Sequence, residues 1–526
     1  MKSKKSRYIS LLVIAILFLG IVCFNYKQNK KIYNQPPSNK WSKEVIIGNG
    51  TINNAPKVIK EEDRIIIGYD NLNKFKISVT DNLGKKILEK FYEINEEFIL
   101  NTALTKTSNG YLFLYNSTQN GQPYMGKIYL DKNFEKIEEK FEDGVTNIVQ
   151  LDDNLVILSN ENKLIIRNTE KENDINAEKM NSKNTSNIVS CKLKNKYMIA
   201  FIEDKCNFRS VFVENGRFKD GKDIFKTSNI LTVNYGNLAC SSDGEYGYVM
   251  MEESTKGQYT GTKMIKFKLN GNEKPKVSKL QVNEYKEVHN NIGAYSEEGA
   301  RFIGTIPIEK KDGYRQETIV DYIIKNGEVK SFENVSRLRE MCIFPYINDD
   351  TIVYASFDKN YNYNINLARD NDEFKEKNNQ PMKFESKLAF NHTIEQLAYS
   401  LSYILIIATK WVIPALFLGA VISFFDYKFR LKGKIILFMG SGVIAAVLKT
   451  IEIYKLIYKK GIILPNLIAI PSLGILVCIV ISLISYLIGI NRYRYDEDSS
   501  FIVNFGIGLM IDTILTLVMF TPYIYA

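Results

Sequence analysis

The stretch SSDGEYGYVMM, residues 241–251, joins a tight polar turn to a run of alternating strand residues. Asn, Asp and Gly favour such turns because they accept positive φ or hydrogen-bond their own backbone. The same pattern recurs along the chain. Asp63 precedes RIIIGY, Gly110 YLFLY, Asn154 LVILS, Asn195 KYMIAF, Gly244 EYGYVM, Gly299 ARFIG and Asp350 TIVYAS. Successive turns lie 47, 44, 41, 49, 55 and 51 residues apart. In the first unit the β-rich runs are APKVIKE, RIIIGY, KFKISVT and ILEKFY; in the second they are ALTKTS, YLFLY, GKIYL and KIEEKF. Four short runs per repeat of this period describe a β-propeller, whose radial packing leaves only short edges. About seven four-stranded blades are therefore expected over residues 44–390, with EVIIG at 44–48 placed to complete the last one. Six or eight blades also fit. A β-sandwich or two stacked β domains is the rival architecture, because hairpin runs alone do not fix closure.

The polar domain sits between apolar segments. Residues 8–24 form an apolar run behind Lys2, Lys4, Lys5 and Arg7, which fits either a signal peptide or a membrane anchor; no small-residue cleavage pattern follows it, which favours the anchor. Four further spans are expected at 398–425, 433–452, 466–490 and 501–523, giving five helices. With the N-terminus cytoplasmic, the loops holding Lys428, Arg430, Lys432, Lys434, Arg492 and Arg494 are cytoplasmic too, in line with the positive-inside rule. That orientation makes the large domain extracytoplasmic. The expected order is a basic start and anchor over 1–26, a stalk over 27–43 containing Pro36 and Pro37, the propeller over 44–390, and the transmembrane region over 391–526. The fold class is thus an all-β extracytoplasmic propeller joined to an α-helical membrane bundle.

Within the opening stretch, SSDGEYGYV resembles the Ser-Pro-Asp-Gly turn of bacterial propellers of the lactonase and translocation-protein type. Ser241, Asp243, Gly244 and Val249 match, Ser242 stands where the proline would be, and YSEEGARFI is a looser copy at Ser296 and Gly299. The other five units lack the motif. The resemblance implies a propeller and transfers no catalytic residue.

Little in the sequence points to catalysis. The net charge of +10 is concentrated beside the apolar segments, and no basic stripe interleaved with aromatics suggests nucleic acid. Six cysteines without C-x-x-C spacing give no thiolate metal site; four of them, Cys191, Cys206, Cys240 and Cys342, leave open either two disulfides or free thiols. His289 and His392 are the only histidines, too few for a His-based nucleophile or a His-rich metal centre. DKNYNYN, with Asp358, Asn360, Asn362 and Asn364, alternates oxygen ligands as a calcium loop does but lacks its glycine and terminal acid, so a hairpin turn is the plainer reading. Acid pairs such as Glu61-Glu62-Asp63 and Asp152-Asp153 fall at expected turns, where solvation is the ordinary state. No cofactor is expected.

The sharper expectation lies in the membrane. Lys410 and Asp512 fall about 22 Å and about 17 Å from the cytoplasmic ends of their helices at 1.5 Å per residue, depths that suit an intramembrane ion pair between the second and fifth spans. Such a pair either fixes helix register or acts as a proton- or signal-sensitive switch. Gly440, Gly442 and Ala446, within and after FMGSGV, are expected to permit close helix packing. The composite reading is a membrane-anchored binding, sensor or accessory protein, in contact with lipid and with a protein partner in or on the membrane. Its alternatives are a transport-related subunit and a surface hydrolase or lactonase.

Overall fold

A computed structural model describes residues 2–524 apart from 95, 97, 171–177, 228–232, 272, 284, 310–314, 338–340, 358–361, 426–427, 430, 459–463 and 496–499. The chain divides into two compact units, one of Pro36–Glu309 with Arg315–Gln380, the other of residues up to Gln35 and from Pro381 onward.

The first unit is a seven-bladed β-propeller, each blade a four-stranded antiparallel sheet. The innermost strands of blades 1 to 7 are Lys57–Lys60, Asn101–Thr107, Asn147–Asp152, Ser186–Lys192, Val233–Ser242, His289–Ala294 and Cys342–Asn348. Seven apolar clusters, each shared by two successive blades, form the core: Ile59, Phe75 and Phe113 between blades 1 and 2, for example, and Tyr248, Phe302 and Tyr322 between blades 5 and 6. Second strands such as Gly110–Gln119 are almost wholly buried, whereas the outer strand Lys136–Asp143 is mostly exposed. That gradient is why inner runs read as continuous apolar stretches and outer ones as alternating.

All seven repeat turns, Asp63, Gly110, Asn154, Asn195, Gly244, Gly299 and Asp350, lie between the innermost and second strands of their blades. In SSDG the Asp243 carboxylate accepts from the backbone N–H groups of Glu245 and Tyr246 and from the Tyr248 hydroxyl, and Gly244 takes φ +93°. Local polar chemistry thereby fixes the turn that the strands then extend.

The ring closes with strand Val45–Gly50, which pairs antiparallel with Tyr363–Arg369 as the outer strand of blade 7. Residues 27–43 do not form the expected stalk. Residues through Asn34 are helical, while Trp41, Ser42 and Lys43 are buried in the propeller unit, with Lys43 bonded to Asn379 and Gln380. At its other end the propeller unit stops at Gln380, and 383–390 belong to a helix of the second unit.

Cross-blade ion pairs add electrostatic ties. Glu142 of blade 2 receives both guanidinium nitrogens of Arg167 in blade 3, at 2.7 and 3.0 Å, and Lys127 at 2.5 Å. Burial pulls the Glu142 carboxyl upward, yet the two cations hold it down to about 2. Its folded pKa lies below the unfolded value of about 4.3, so its stabilisation is complete above that value and disappears as pH falls towards 2. Glu142→Gln should lower the unfolding midpoint at pH 7 and leave a shrinking difference from wild type towards pH 2. A difference independent of pH would remove the electrostatic account.

Among the described residues there are nine helices: α1 (Lys2–Asn34), α2 (Asp372–Asn378), α3 (Lys383–Ser402), α4 (Ile404–Ile407), α5 (Thr409–Phe425), α6 (Leu431–Ile457), α7 (Asn466–Ala469), α8 (Pro471–Tyr495) and α9 (Phe501–Ile524). All but α2 belong to the second unit. Four are long and apolar enough to cross a membrane: α1 from Tyr8, α6, α8 and α9. The expected continuous span 398–425 is instead broken into the end of α3, α4 and α5. Pro414, inside α5, lacks the N–H that would bond the Lys410 carbonyl, and regular helix resumes only at Thr409. The second half of α1 is stitched into this unit: Asn25 donates to the Val518 carbonyl and accepts from the Tyr523 hydroxyl, and Asn29 donates to Thr393 and Gln396.

Candidate functional site

The seven innermost strands enclose a cavity of about 740 Å³ on the propeller axis. At the mouth where these strands begin, six blades place an asparagine, Asn54, Asn101, Asn147, Asn187, Asn237 and Asn290, and the seventh places Phe344. In blades 4 to 7 the residue is left-handed, with φ of 50, 44, 48 and 55° at Asn187, Asn237, Asn290 and Phe344, and the pairing register shifts there. Asparagine accepts that conformation at little cost, whereas a bulky phenylalanine is strained in it. Several amides clasp the next blade: Asn54 donates to the Ile99 carbonyl, Asn101 to Asn147, and Asn187 to the Tyr235 carbonyl. Glu252 links Asn237 to the backbone of Asn290.

The opposite mouth is charged. Lys106 lies 3.3 Å from Asp153 and 3.7 Å from Glu61, Lys192 lies 3.6 Å from Asp152, and Asp350 is held by Lys60 at 2.9 Å and Arg369 at 2.7 Å. Burial raises the Asp153 carboxyl; Glu61 is also pushed upward by burial, but its bonds from Arg64 and Tyr111 hold it below the usual range. The acids at these turns are therefore not uniformly solvated: Glu62 and Asp63 are exposed, while Glu61, Asp152 and Asp153 are partly buried and paired.

Between the mouths stands Lys57, half-buried, its Nζ 4.7 Å from the centre of the Tyr346 ring. Desolvation lowers its pKa to about 8 against the opposing pull of Asp70. All six cysteines are free thiols, and burial pushes Cys191 up to about 12 and Cys240 well above its ordinary value, which makes both poor nucleophiles. Among the described residues no cluster of three His, Cys, Asp or Glu side chains is arranged to hold a metal. Asp358 and Asn360 lie outside the described residues; Asn362 accepts from Thr51, and Asn364 belongs to a blade 7 strand. His289 opens the blade 6 inner strand with its ring centre 4.1 Å from that of Tyr259, and His392 sits on α3 with Nδ1 3.0 Å from the Tyr33 hydroxyl.

The helical unit holds a second polar cluster. Asp512 on α9 is paired with Lys449 on α6 at 2.6 Å, and both side chains are fully buried. The Lys449 ammonium also donates to Ser482 at 2.6 Å, Thr516 at 3.0 Å and the Cys478 carbonyl at 3.3 Å, while Ser482 donates to Asp512 at 2.9 Å. Lys410 is not the partner of Asp512. It lies near the start of α5, more than half exposed, 3.5 Å from Glu452. The count from Phe425 back to Lys410 stays inside α5, but depth alone does not say which way a side chain points, and Lys410 points away from Asp512. The α6 packing face runs through Phe438, Gly442, Ala445, Lys449 and Ile453. Of the expected packing residues, Gly442 lies under the Tyr486 ring, Ala446 is half-buried, and Gly440 is exposed with nothing within 4 Å of where a Cβ would stand.

Many solved structures align with the chain, two of them as follows. One is a prolyl endopeptidase from a study of two such enzymes and the role of inter-domain dynamics in their catalysis and specificity: 8% identity, TM-score 0.38, covering 65% of this chain and 49% of that one. The other is the β-propeller domain of the Trilobed protease from Pyrococcus furiosus, described as having an open velcro topology: 11% identity, TM-score 0.34, covering 64% of this chain and 98% of that one. The present chain thus spans about half the length of the first. With TM-scores below 0.5 neither likeness carries an argument, and the seven-bladed ring rests on the strand pairing itself. No family model and no curated protein matches the sequence, and nothing in the comparisons supports the lactonase or translocation type.

Neither Lys57 nor Lys449 stands out in the sequence reading. A signal for Lys449 was present, a lysine inside an apolar helix, but ending that span at 452 placed it near the boundary. The asparagines recur 50 and 53 residues apart at 187, 237 and 290, close to the blade period, which is the signal that could have located the channel.

Proposed function

We propose that this chain is a membrane-attached propeller that binds a ligand in its axial channel and acts as a sensor or accessory subunit beside another membrane protein. The observation that carries the reading is the coexistence, in one chain, of a polar channel closed by its own N-terminal strand and four helices able to cross a membrane. The basic residues flanking the apolar helices favour a cytoplasmic N-terminus, with α1 crossing once before the propeller and α5, at 17 residues, read as a fifth and shorter crossing; in this reading the propeller is extracytoplasmic. The fully buried Lys449–Asp512 pair favours a second reading, a transport-related subunit, because buried charges within a membrane bundle mark ion paths as well as helix registers.

Brief crosslinking of native membranes, extraction in mild detergent and stoichiometric analysis of what co-purifies tests the accessory role. A transporter or signalling protein in constant ratio is the expected result. Recovery of the chain alone would overturn the accessory role.

A further inference from the structure

We propose that the central channel anchors the anionic group of its ligand, a carboxylate or a phosphoryl group, on the Lys57 ammonium, with the Tyr346 hydroxyl as a second donor. This rests on the reading of the channel as the ligand site.

Three basic side chains line the cavity: Lys57, Lys192 and Arg301. Two are already neutralised. Lys192 faces Asp152, and Arg301 makes a two-pronged contact with Asp321 at 3.0 and 2.8 Å. Among the described residues Lys57 has neither a carboxylate within 4 Å nor a hydrogen-bond acceptor; its one close neighbour is the face of Tyr346. The Tyr346 hydroxyl likewise has no hydrogen-bond partner among the described residues, and it shares the cavity wall with Lys57. An ammonium and a phenol, one on blade 1 and one on the adjoining blade 7, are thus left with donors to spare on one wall of a chamber large enough for a small molecule.

The charges around this point are mixed: Asp153 and Asp152 act on the Tyr346 hydroxyl and Asp70 on Lys57, but each of these carboxylates has partners of its own. Asp70, the carboxylate that acts on Lys57, is itself engaged by the backbone N–H groups of Asn53 and Asn54. The lining carboxylates, Asp152, Asp153, Asp349, Asp350 and Asp370, lie at the strand-end mouth, where Lys60, Lys106, Lys192, Arg369 and Lys375 pair with four of them. A half-buried cation with no carboxylate in contact is less favourable until a ligand supplies one. With a pKa of about 8, Lys57 is mostly protonated at pH 7 and loses its charge above 8, so anion binding should weaken as pH rises through that value.

The test uses the full chain in detergent. Lys57 is labelled with trace acetic anhydride and quantified by mass spectrometry, with inorganic phosphate, acetate or chloride added at matched ionic strength. Phosphate or acetate should slow labelling at Lys57 about tenfold at saturation while Lys192 is unaffected, and chloride should do nothing. Protection by phosphate alone assigns a phosphoryl ligand, and protection by acetate alone a carboxylate. Tyr346→Phe should weaken protection severalfold, and Lys57→Gln should abolish the thermal stabilisation given by the protecting anion. Absence of protection by both anions, or equal protection at Lys57 and Lys192, overturns the proposal. Neither outcome depends on partner capture, so failure here leaves the accessory role standing, and the reverse.

Discussion

Replacing Asp512 by Leu should destabilise the helical unit by about 3–5 kcal/mol, as should Lys449→Met, whereas the two together should fall close to wild type. Each single change leaves one charge in an interior that offers it little else. Without Lys449, the Asp512 carboxylate keeps the Ser482 hydroxyl on Oδ1, and its Oδ2 has no hydrogen-bond partner among the described residues. Without Asp512, the Lys449 ammonium keeps two hydroxyls and a carbonyl but no counter-charge. The double variant removes both charges and fills the space with apolar atoms, a change that is often neutral or stabilising. Lys410→Met is the control. That side chain is more than half exposed against Glu452, and exposed pairs contribute about 0–1 kcal/mol. Thermal unfolding of the four variants in one detergent measures the cycle. Additivity of the Lys449 and Asp512 effects would show that the contact carries no coupling, and a large Lys410 effect would restore the pairing expected from sequence.

That contrast shows where sequence reasoning held and where it stopped. The blade repeat was legible because each unit carries its own turn chemistry, and the turn is local: Asp243, Gly244 and their neighbours fold the same way wherever the blade stands. Closure was only half legible: EVIIG at 44–48 was a β-rich segment placed to complete the last blade, but hairpin runs alone did not decide between a ring and a sandwich. The facing side of each helix was not legible. The count from Phe425 back to Lys410 stays inside α5, but depth does not say which way a side chain points, and Lys410 stands more than half exposed against Glu452. Helix α6 runs on to Ile457, about one turn past the expected end, and that carries Lys449 into the interior. The channel was hidden for a different reason. Three of its asparagines, Asn187, Asn237 and Asn290, sit at bulges, where alternation fails and the side-chain direction cannot be read from strand period. Lys57 looked like any lysine on a short strand until the ring of blades placed it beside Tyr346.

Trp41→Ala should be the most damaging single change in the propeller unit, lowering its stability by about 3–5 kcal/mol through the cavity it leaves. The indole is fully buried between blades 6 and 7, against Ile303, Ile319, Val335, Ile352 and Tyr354. Its Nε1 donates to Asp321 at 3.1 Å, the carboxylate that also holds Arg301 and Lys40, and the Arg301 guanidinium lies 5.6 Å from the ring centre. The next residues continue the lock: the Ser42 N–H donates to the Arg369 carbonyl, and the Arg369 N–H donates back to the Ser42 hydroxyl. Trp41 therefore sits just ahead of the strand that closes the ring, and loss of its packing should act on closure before it acts on the other blades. Hydrogen exchange should accelerate first at Val45–Gly50 and at its partner Tyr363–Arg369, with blades 2 to 5 little changed. Trp41→Phe separates the two contributions. It keeps most of the packing and loses the N–H, so its effect should be about 1 kcal/mol plus the remaining volume difference. Uniform exchange across all seven blades in Trp41→Ala would mean that the ring unfolds as one unit and that the closing strand is no weaker than the rest.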